Sequence, residues 1–127
     1  MKTPSVLVVE DNPDMCKLHK LTLESAGFQV VIAKDGAEAL TLAQQSKPDV
    51  ILTDIMMPNM DGIELIEIIR EIRTLADTPI FVLSAGSEQL LDKASLAGAT
   101  KVIEKPLNPT QLWAELWALL PDKDNVA

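Results

Sequence analysis

Short apolar runs alternate along the chain with longer segments in which apolar residues recur every three or four positions. The short runs predict strands at residues 5–9, 28–33, 49–54, 79–84 and 101–103. The longer segments predict helices at residues 13–26, 36–45, 61–74, 87–97 and 109–120. Because a helix follows each strand, right-handed crossovers should produce a parallel sheet with helices on both faces. The pattern therefore predicts a doubly wound α/β fold.

Composition and charge narrow the class of protein. With 127 residues, of which 47% are hydrophobic, the chain is expected to form one domain over residues 1–121, followed by a polar tail at 122–127. The net charge of -8 argues against a surface for nucleic acid or for anionic membranes. The single cysteine, Cys16, cannot form an internal disulfide, and the sequence shows neither a signal segment nor an apolar run of membrane-spanning length. We expect a cytoplasmic protein.

Charged or hydroxyl-bearing side chains lie at the ends of four predicted strands. They are Glu10 and Asp11 after the first strand, Asp54 ending the third, Ser84 ending the fourth and Lys105 after the fifth. The carboxyl ends of parallel strands meet at one edge of the sheet, where open α/β folds place their ligand sites. Carboxylates gathered there repel one another, and a divalent cation would relieve that repulsion. Oxygen ligands favour Mg2+, and a carboxylate beside Mg2+ can attack phosphorus, which makes Asp54 the candidate reactive group.

Several motifs resemble those of the CheY-like response-regulator receiver domains of two-component signalling. They are Val8-Val9-Glu10-Asp11-Asn12-Pro13, the segment DIMMPNMDG at 54–62, Leu83-Ser84-Ala85, Ala97-Gly98-Ala99 and Lys105-Pro106-Leu107. These motifs follow the family's order and spacing over nearly the whole chain. The resemblance implies a flavodoxin-like, five-stranded parallel sheet with the strand order 2-1-3-4-5.

The resemblance also implies how the acidic residues act. Asp54 would accept a phosphoryl group from the phosphohistidine of a sensor histidine kinase or of a phosphorelay histidine protein. Asp11 and Asp54 would bind Mg2+ together with the backbone carbonyl of Met56, and Glu10 would act mainly through a bound water.

The remaining roles implied by the resemblance concern the phosphorylated state. Ser84 and Lys105 would each bind a phosphoryl oxygen once Asp54 is modified. Such a domain is not a conventional enzyme, although it catalyses its own phosphorylation and slow dephosphorylation. We expect it to signal through phosphorylation-dependent contacts with a separate target protein or with a second copy of itself.

Other interpretations of these residues remain open. Asp11 or Asn12 could cap the first helix, Lys105 could be a solvated surface charge, and Ser84 could be a strand-end hydroxyl. The whole chain could be a pseudo-receiver, which docks or dimerises without accepting phosphate. A hydrolase with an aspartyl-phosphate intermediate usually has a second acid two positions after the nucleophile, where this chain has Met56. A dinucleotide-binding enzyme is disfavoured because no glycine fingerprint follows the first strand.

The sequence departs from the family pattern in two respects, the residue that couples activation to the output face and the apolar character of the surface. Many receivers carry an aromatic residue three positions before the lysine, and this chain has Val102 there. Trp113 and Trp117 are four positions apart on the last predicted helix and therefore share a face, while Leu96 is an apolar residue on the preceding helix. We hypothesise that Leu96, Val102, Trp113 and Trp117 contribute to a docking or dimerisation surface. The alternative is that the tryptophans pack in the core, and burial of Trp117 within its own chain distinguishes the two.

Overall fold

Strands and helices alternate along the chain in the computed structural model, which describes residues 3–54, 62–84, 88–104 and 114–118. The strands are β1 (Ser5–Val9), β2 (Gln29–Ala33), β3 (Val50–Asp54), β4 (Ile80–Ser84) and β5 (Lys101–Glu104). The helices are α1 (Pro13–Ser25), α2 (Gly36–Ser46), α3 (Gly62–Glu71), α4 (Glu88–Ala97) and a helical segment at 114–118, here α5, with a 3-10 turn at Arg73–Leu75. None of the helices in these ranges is long and apolar enough to cross a membrane. The predicted alternation is confirmed, and most observed boundaries lie within one residue of the predicted ones.

The strands form a single parallel sheet with the order β2-β1-β3-β4-β5. The register pairs Val9 of β1 with both Ala33 of β2 and Thr53 of β3, so these strands end at nearly the same level. Ser84 of β4 pairs with Glu104 of β5, which extends the edge across the rest of the sheet. The predicted order is confirmed, and the carboxyl ends of the strands lie along one edge.

Successive strand residues contribute to two hydrophobic clusters, one on each face of the sheet. On one face Leu7 and Ile51 pack with Leu65 of α3 and with apolar residues of α2 and α4. On the other face Phe81 packs with Leu116 of α5 and with apolar residues of α1. These five side chains are almost completely buried, and burial of each stabilises the fold by about 1.5–3 kcal/mol. Cores on both faces confirm the doubly wound arrangement and hold the strand ends in a fixed register.

The third helix ends three residues before its predicted end. The apolar pattern predicts a helix as far as Thr74, whereas α3 ends at Glu71 and the 3-10 turn follows. The guanidinium of Arg70 donates hydrogen bonds to the carbonyls of Ala76 (2.9 Å) and Thr78 (2.7 Å). Because these carbonyls point back at Arg70, the chain has to leave the helical path before it reaches them. The predicted end is therefore three residues too late, and the bonds from Arg70 stabilise the turn that follows the helix.

Candidate functional site

Two buried acidic residues lie at the ends of neighbouring strands, at the carboxyl edge of the sheet. Glu10 directly follows β1, and Asp54 is the last residue of β3. Since Val9 pairs with Thr53, Glu10 and Asp54 are level with each other on neighbouring strands, which in a sheet lie about 4.8 Å apart. The exposed fraction is 3% for Glu10 and 8% for Asp54. Buried carboxylates are stable where hydrogen bonds or opposite charges compensate them, and a divalent cation is one partner that can do so.

A third acidic residue, Asp11, directly follows Glu10 and lies just before the start of α1. The sequence leaves open whether Asp11 or Asn12 caps the helix, and the structure assigns the cap to Asn12. Its side-chain oxygen accepts hydrogen bonds from the backbone N–H groups of Asp14 (2.9 Å) and Met15 (3.2 Å), which satisfies two donors of the first helical turn. Asp11 is exposed, so its carboxylate can approach a ligand from the solvent side.

The Glu10 carboxylate is partly engaged by the same turn. Its Oε2 atom accepts a hydrogen bond from the backbone N–H of Asn12 at 3.2 Å. On β3, the hydroxyl of Thr53 donates to the carbonyl of Asp54 at 2.9 Å and so satisfies that backbone acceptor at the end of the strand. These bonds fix the backbone on both strands at the point where the two acidic residues lie.

The other predicted site residues are only partly within the described chain. Leu83 pairs with Asp54, so the backbone of Ser84 lies one residue beyond the level of Asp54 on the adjacent strand. Met56 and Lys105, like Trp113, lie outside the described residues. The structure thus brings Glu10, Asp11 and Asp54 to one edge and places the Ser84 backbone at the same edge.

The sequence reasoning missed two side chains at this edge. The thiol of Cys16 donates to the backbone carbonyl of Glu10, with a sulfur–oxygen distance of 3.2 Å. Burial raises the pKa of this thiol, and the negative charges of Glu10 and Asp11 raise it further, whereas the positive charge of Lys34 acts in the opposite direction. Lys34 follows β2, so the rule that singled out the other strand ends would also have found it.

The chemistry of the donors fits Mg2+ better than a metal that requires a cage of side chains. Over the described ranges, no group of three or more His, Cys, Asp or Glu side chains is arranged to hold a metal ion. Mg2+ commonly retains several waters and binds through only one or two carboxylates. Of the predicted ligands, the two carboxylates of Asp11 and Asp54 belong to residues at this edge and are of the kind that Mg2+ binds, whereas Met56 lies outside the described residues.

The three described residues of the hypothesised docking surface do not share one environment. Leu96 on α4 is 88% exposed. Val102 packs against the cluster that contains α2, α3 and α4, whereas Trp117 packs against the cluster that contains α1 and α5. Val102 and Trp117 therefore contact opposite faces of the sheet.

Trp117 makes specific contacts within its own chain. Its indole N–H donates to the carbonyl of Ala26 at 3.1 Å, and its ring lies 4.8 Å from the ring of Phe28, centroid to centroid. The residue is half-buried, so it retains some exposed surface. Packing within its own chain is thus a major role of Trp117, as the alternative to the docking hypothesis states. Among the described residues of the hypothesised docking surface, Leu96 is the exposed one.

A doubly wound parallel sheet with buried acidic residues at its carboxyl edge defines the molecule as a flavodoxin-like domain with an acidic site. The family model of the response regulator receiver domain matches residues 6–116, and the chain belongs to this family. The resemblance seen in the sequence motifs is confirmed.

Individual relatives agree with this assignment. The alkaline phosphatase synthesis transcriptional regulatory protein PhoP of Bacillus subtilis (strain 168) is 36% identical over 116 residues, which cover 91% of this chain and 48% of that protein. The chemotaxis protein CheY4 of Vibrio cholerae has a structure with a TM-score of 0.88 at 35% identity, covering 94% of this chain and 100% of the other. The chain spans about half the length of PhoP and of similar curated regulators that it matches.

One similar structure bears on the metal. The receiver domain of the sensor histidine kinase PA1611 from Pseudomonas aeruginosa PAO1 was solved with a magnesium ion coordinated in its active-site cleft. It has a TM-score of 0.86 at 29% identity, covering 92% of this chain and 97% of that domain.

Proposed function

We propose that Asp54 accepts a phosphoryl group from the phosphohistidine of a sensor histidine kinase or of a phosphorelay histidine protein. The observation that carries this proposal is the buried, register-matched pair of carboxylates at the ends of β1 and β3. Within the pair, Glu10 accepts a hydrogen bond from the start of α1, which suits a supporting role. Asp54 ends the central strand beside β4, and the backbone of Ser84 at the end of β4 lies at the same edge, which supports the proposed role of the Ser84 hydroxyl.

The acidic residues support a Mg2+-dependent reaction. Asp11 and Asp54 would hold the ion together with the backbone carbonyl of Met56, and Glu10 would act mainly through a bound water. A bound Mg2+ supplies positive charge that neutralises the carboxylates and the phosphoryl oxygens. Asp11 is exposed and Asp54 is buried, so an ion bound by both residues would have one ligand on the solvent side and one at the end of the sheet.

In the transfer step, a carboxylate oxygen of Asp54 forms a bond to phosphorus while the bond between phosphorus and the donor imidazole nitrogen breaks. The electron pair of that bond leaves with the imidazole, which takes up a proton. The Ser84 hydroxyl would donate a hydrogen bond to one phosphoryl oxygen and the Lys105 ammonium would bind another. The product is an acyl phosphate on Asp54, which water then hydrolyses slowly.

The output of the domain would be a change in protein contacts. The net charge of -8 disfavours direct binding of nucleic acid, so the signal would pass to a target protein or to a second copy of the domain. Leu96, exposed on α4, is a candidate contact residue for such a partner.

We place the domain at residues 1–121, with residues 122–127 as a tail.

The proposal is tested by incubating the protein with acetyl phosphate and Mg2+ and measuring its intact mass. The wild type should gain one phosphoryl group, and both Asp54→Asn and removal of Mg2+ by EDTA should abolish the gain. Asp49→Asn is a matched control, because Asp49 directly precedes β3 at the opposite end of the same strand and should leave phosphorylation unchanged.

The same experiment separates the proposal from the pseudo-receiver. A folded wild-type protein that gains no phosphoryl group contradicts the proposal and favours a docking module that does not use phosphate. A gain that persists in Asp54→Asn would place the acceptor at another residue.

A further inference from the structure

A lysine occupies the end of the strand that borders the acidic pair. Lys34 directly follows β2, and the register that pairs Val9 with Ala33 places Lys34 level with Glu10. The backbone N–H of Glu10 donates to the carbonyl of Ala33 at 2.9 Å, so the two strands stay paired up to this point. The carboxyl edge therefore carries a positive charge on one side of Glu10 and the carboxylate of Asp54 on the other.

The backbone at Lys34 is held in place by the start of α2. Its N–H group donates to Oε1 of Glu38 at 2.7 Å, and the side chain of Asp35 accepts the N–H of Glu38 at 2.8 Å. The arrangement differs from a capping box only in that Glu38 accepts the N–H of the residue before the N-cap, and it leaves the carboxylates of Asp35 and Glu38 bonded to backbone groups. The Lys34 side chain itself is exposed, and within the described part of the chain it forms no ion pair.

The charge of Lys34 reaches the acidic edge. The Cys16 thiol, which donates to the carbonyl of Glu10, is influenced by the negative charges of Glu10 and Asp11 and by the positive charge of Lys34. Glu10, Asp11 and Lys34 are therefore all close enough to the Cys16 thiol to affect its charge state. The register and the Glu10–Ala33 hydrogen bond explain why they do so.

We propose that Lys34 is an electrostatic positioning residue of the phosphoryl-transfer site, which attracts anionic phosphodonors while it opposes the binding of Mg2+. The inference rests on the proposed function. Because the whole protein carries a charge of -8, an anionic phosphodonor is repelled on approach, and the ammonium group of Lys34 at the acidic edge reduces that repulsion locally. The same ammonium group repels Mg2+. Removing its charge should therefore strengthen the binding of Mg2+ and slow phosphorylation.

The test uses Lys34→Gln and Lys34→Glu, with two measurements on the folded protein. Isothermal titration calorimetry gives the dissociation constant for Mg2+ alone, and intact mass against time gives the rate of phosphorylation by acetyl phosphate at saturating Mg2+. At about 10 Å near a protein surface, and screened by physiological salt, the charge of Lys34 should change the interaction with a singly charged group about twofold and that with divalent Mg2+ about fivefold. We expect Lys34→Gln to bind Mg2+ more tightly and to be phosphorylated more slowly by such factors, and Lys34→Glu to show larger changes in the same directions.

Lys47→Gln is the matched control. Lys47 follows α2 at the opposite end of that helix from Lys34, and it is also exposed, so the variant changes the net charge by the same amount. It should leave both quantities unchanged. Raising the ionic strength from 0.05 M to 0.5 M should reduce the differences between Lys34→Gln and the wild type, because salt screens charges at this range.

The outcomes distinguish this inference from the proposed function. Changes in the same direction, such as weaker Mg2+ binding together with slower phosphorylation, would indicate structural damage and overturn the role of Lys34. Values equal to those of Lys47→Gln would also overturn it. If the wild type cannot be phosphorylated at all, the proposed function fails, whereas unchanged Mg2+ affinity in Lys34→Gln refutes the electrostatic role by itself.

Discussion

The contacts of Trp117 predict that its removal destabilises the isolated domain. The indole covers the turn between α1 and β2, since its N–H donates to Ala26 and its ring packs against Phe28. Gly27 in this turn has a φ of +99°, and a Cβ atom there would lie 3.4 Å from Cζ2 of the tryptophan, which shows how closely the ring approaches the backbone. A partner-binding residue with no internal role would have none of these contacts.

The size of the effect follows from the interactions lost. Loss of the hydrogen bond, which leaves the Ala26 carbonyl without this donor, should destabilise by about 1 kcal/mol. The pairing with Phe28 contributes about 0.5–1.5 kcal/mol beyond area burial, and a half-buried tryptophan loses less than the 3–5 kcal/mol typical of full burial. We therefore expect Trp117→Ala to lower the free energy of unfolding by about 2–4 kcal/mol, and Trp117→Phe by about 1 kcal/mol.

Urea unfolding followed by far-UV circular dichroism measures both values without relying on tryptophan fluorescence. With a slope of about 2 kcal/mol per molar urea, a loss of 3 kcal/mol lowers the midpoint by about 1.5 M. Leu96→Ala is the control, because a side chain that is 88% exposed should change stability by less than about 0.5 kcal/mol. A Trp117→Ala variant as stable as the wild type would refute the packing role and restore Trp117 to the docking surface.

Further predictions concern three other side chains. Arg70→Met should lower the free energy of unfolding by about 2–3 kcal/mol, because the carbonyls of Ala76, Thr78 and Gly98 lose charged donors. The same change at exposed Arg73 should have little effect. Similar urea midpoints for the two variants would contradict this prediction. Burial and neighbouring carboxylates raise the pKa of the Cys16 thiol, so less of the reactive thiolate is present in the native protein at any pH below that pKa. Iodoacetamide should therefore alkylate the native protein more slowly than the urea-unfolded protein. Equal rates of alkylation would contradict the raised pKa. Asp11→Asn should weaken Mg2+ binding at least tenfold, as measured by calorimetry. Asp14→Asn is the control, since Asp14 lies two residues after the Asn12 cap, and it should change the affinity less than about twofold. Equal losses in the two variants would show a general effect of charge.

The order of elements and the acidic edge could be predicted because both depend on local patterns. Alternating strands and helices fix the parallel sheet, and a parallel sheet brings the ends of its strands together whatever the details of packing. Glu10, Asp11 and Asp54 could therefore be placed at one edge from their positions in the sequence alone.

Features that depend on contacts between distant residues could not be predicted in the same way. The end of α3 depends on bonds from Arg70 to carbonyls six and eight residues later and to that of Gly98. Helical spacing showed that Trp113 and Trp117 share a face, but not that this face brings Trp117 against a turn 91 residues away in the sequence. The periodicity of an element gives its apolar face, whereas its neighbours are set by the tertiary fold.

Locating the modified residue tests the central claim most directly. Borohydride reduces an aspartyl phosphate to homoserine, so the phosphorylated protein can be reduced, digested and sequenced by tandem mass spectrometry. We predict homoserine at position 54 in protein that received both phosphodonor and Mg2+, and intact aspartate there when either is omitted. Homoserine at position 11 or at any other aspartate, with Asp54 unmodified, would contradict it.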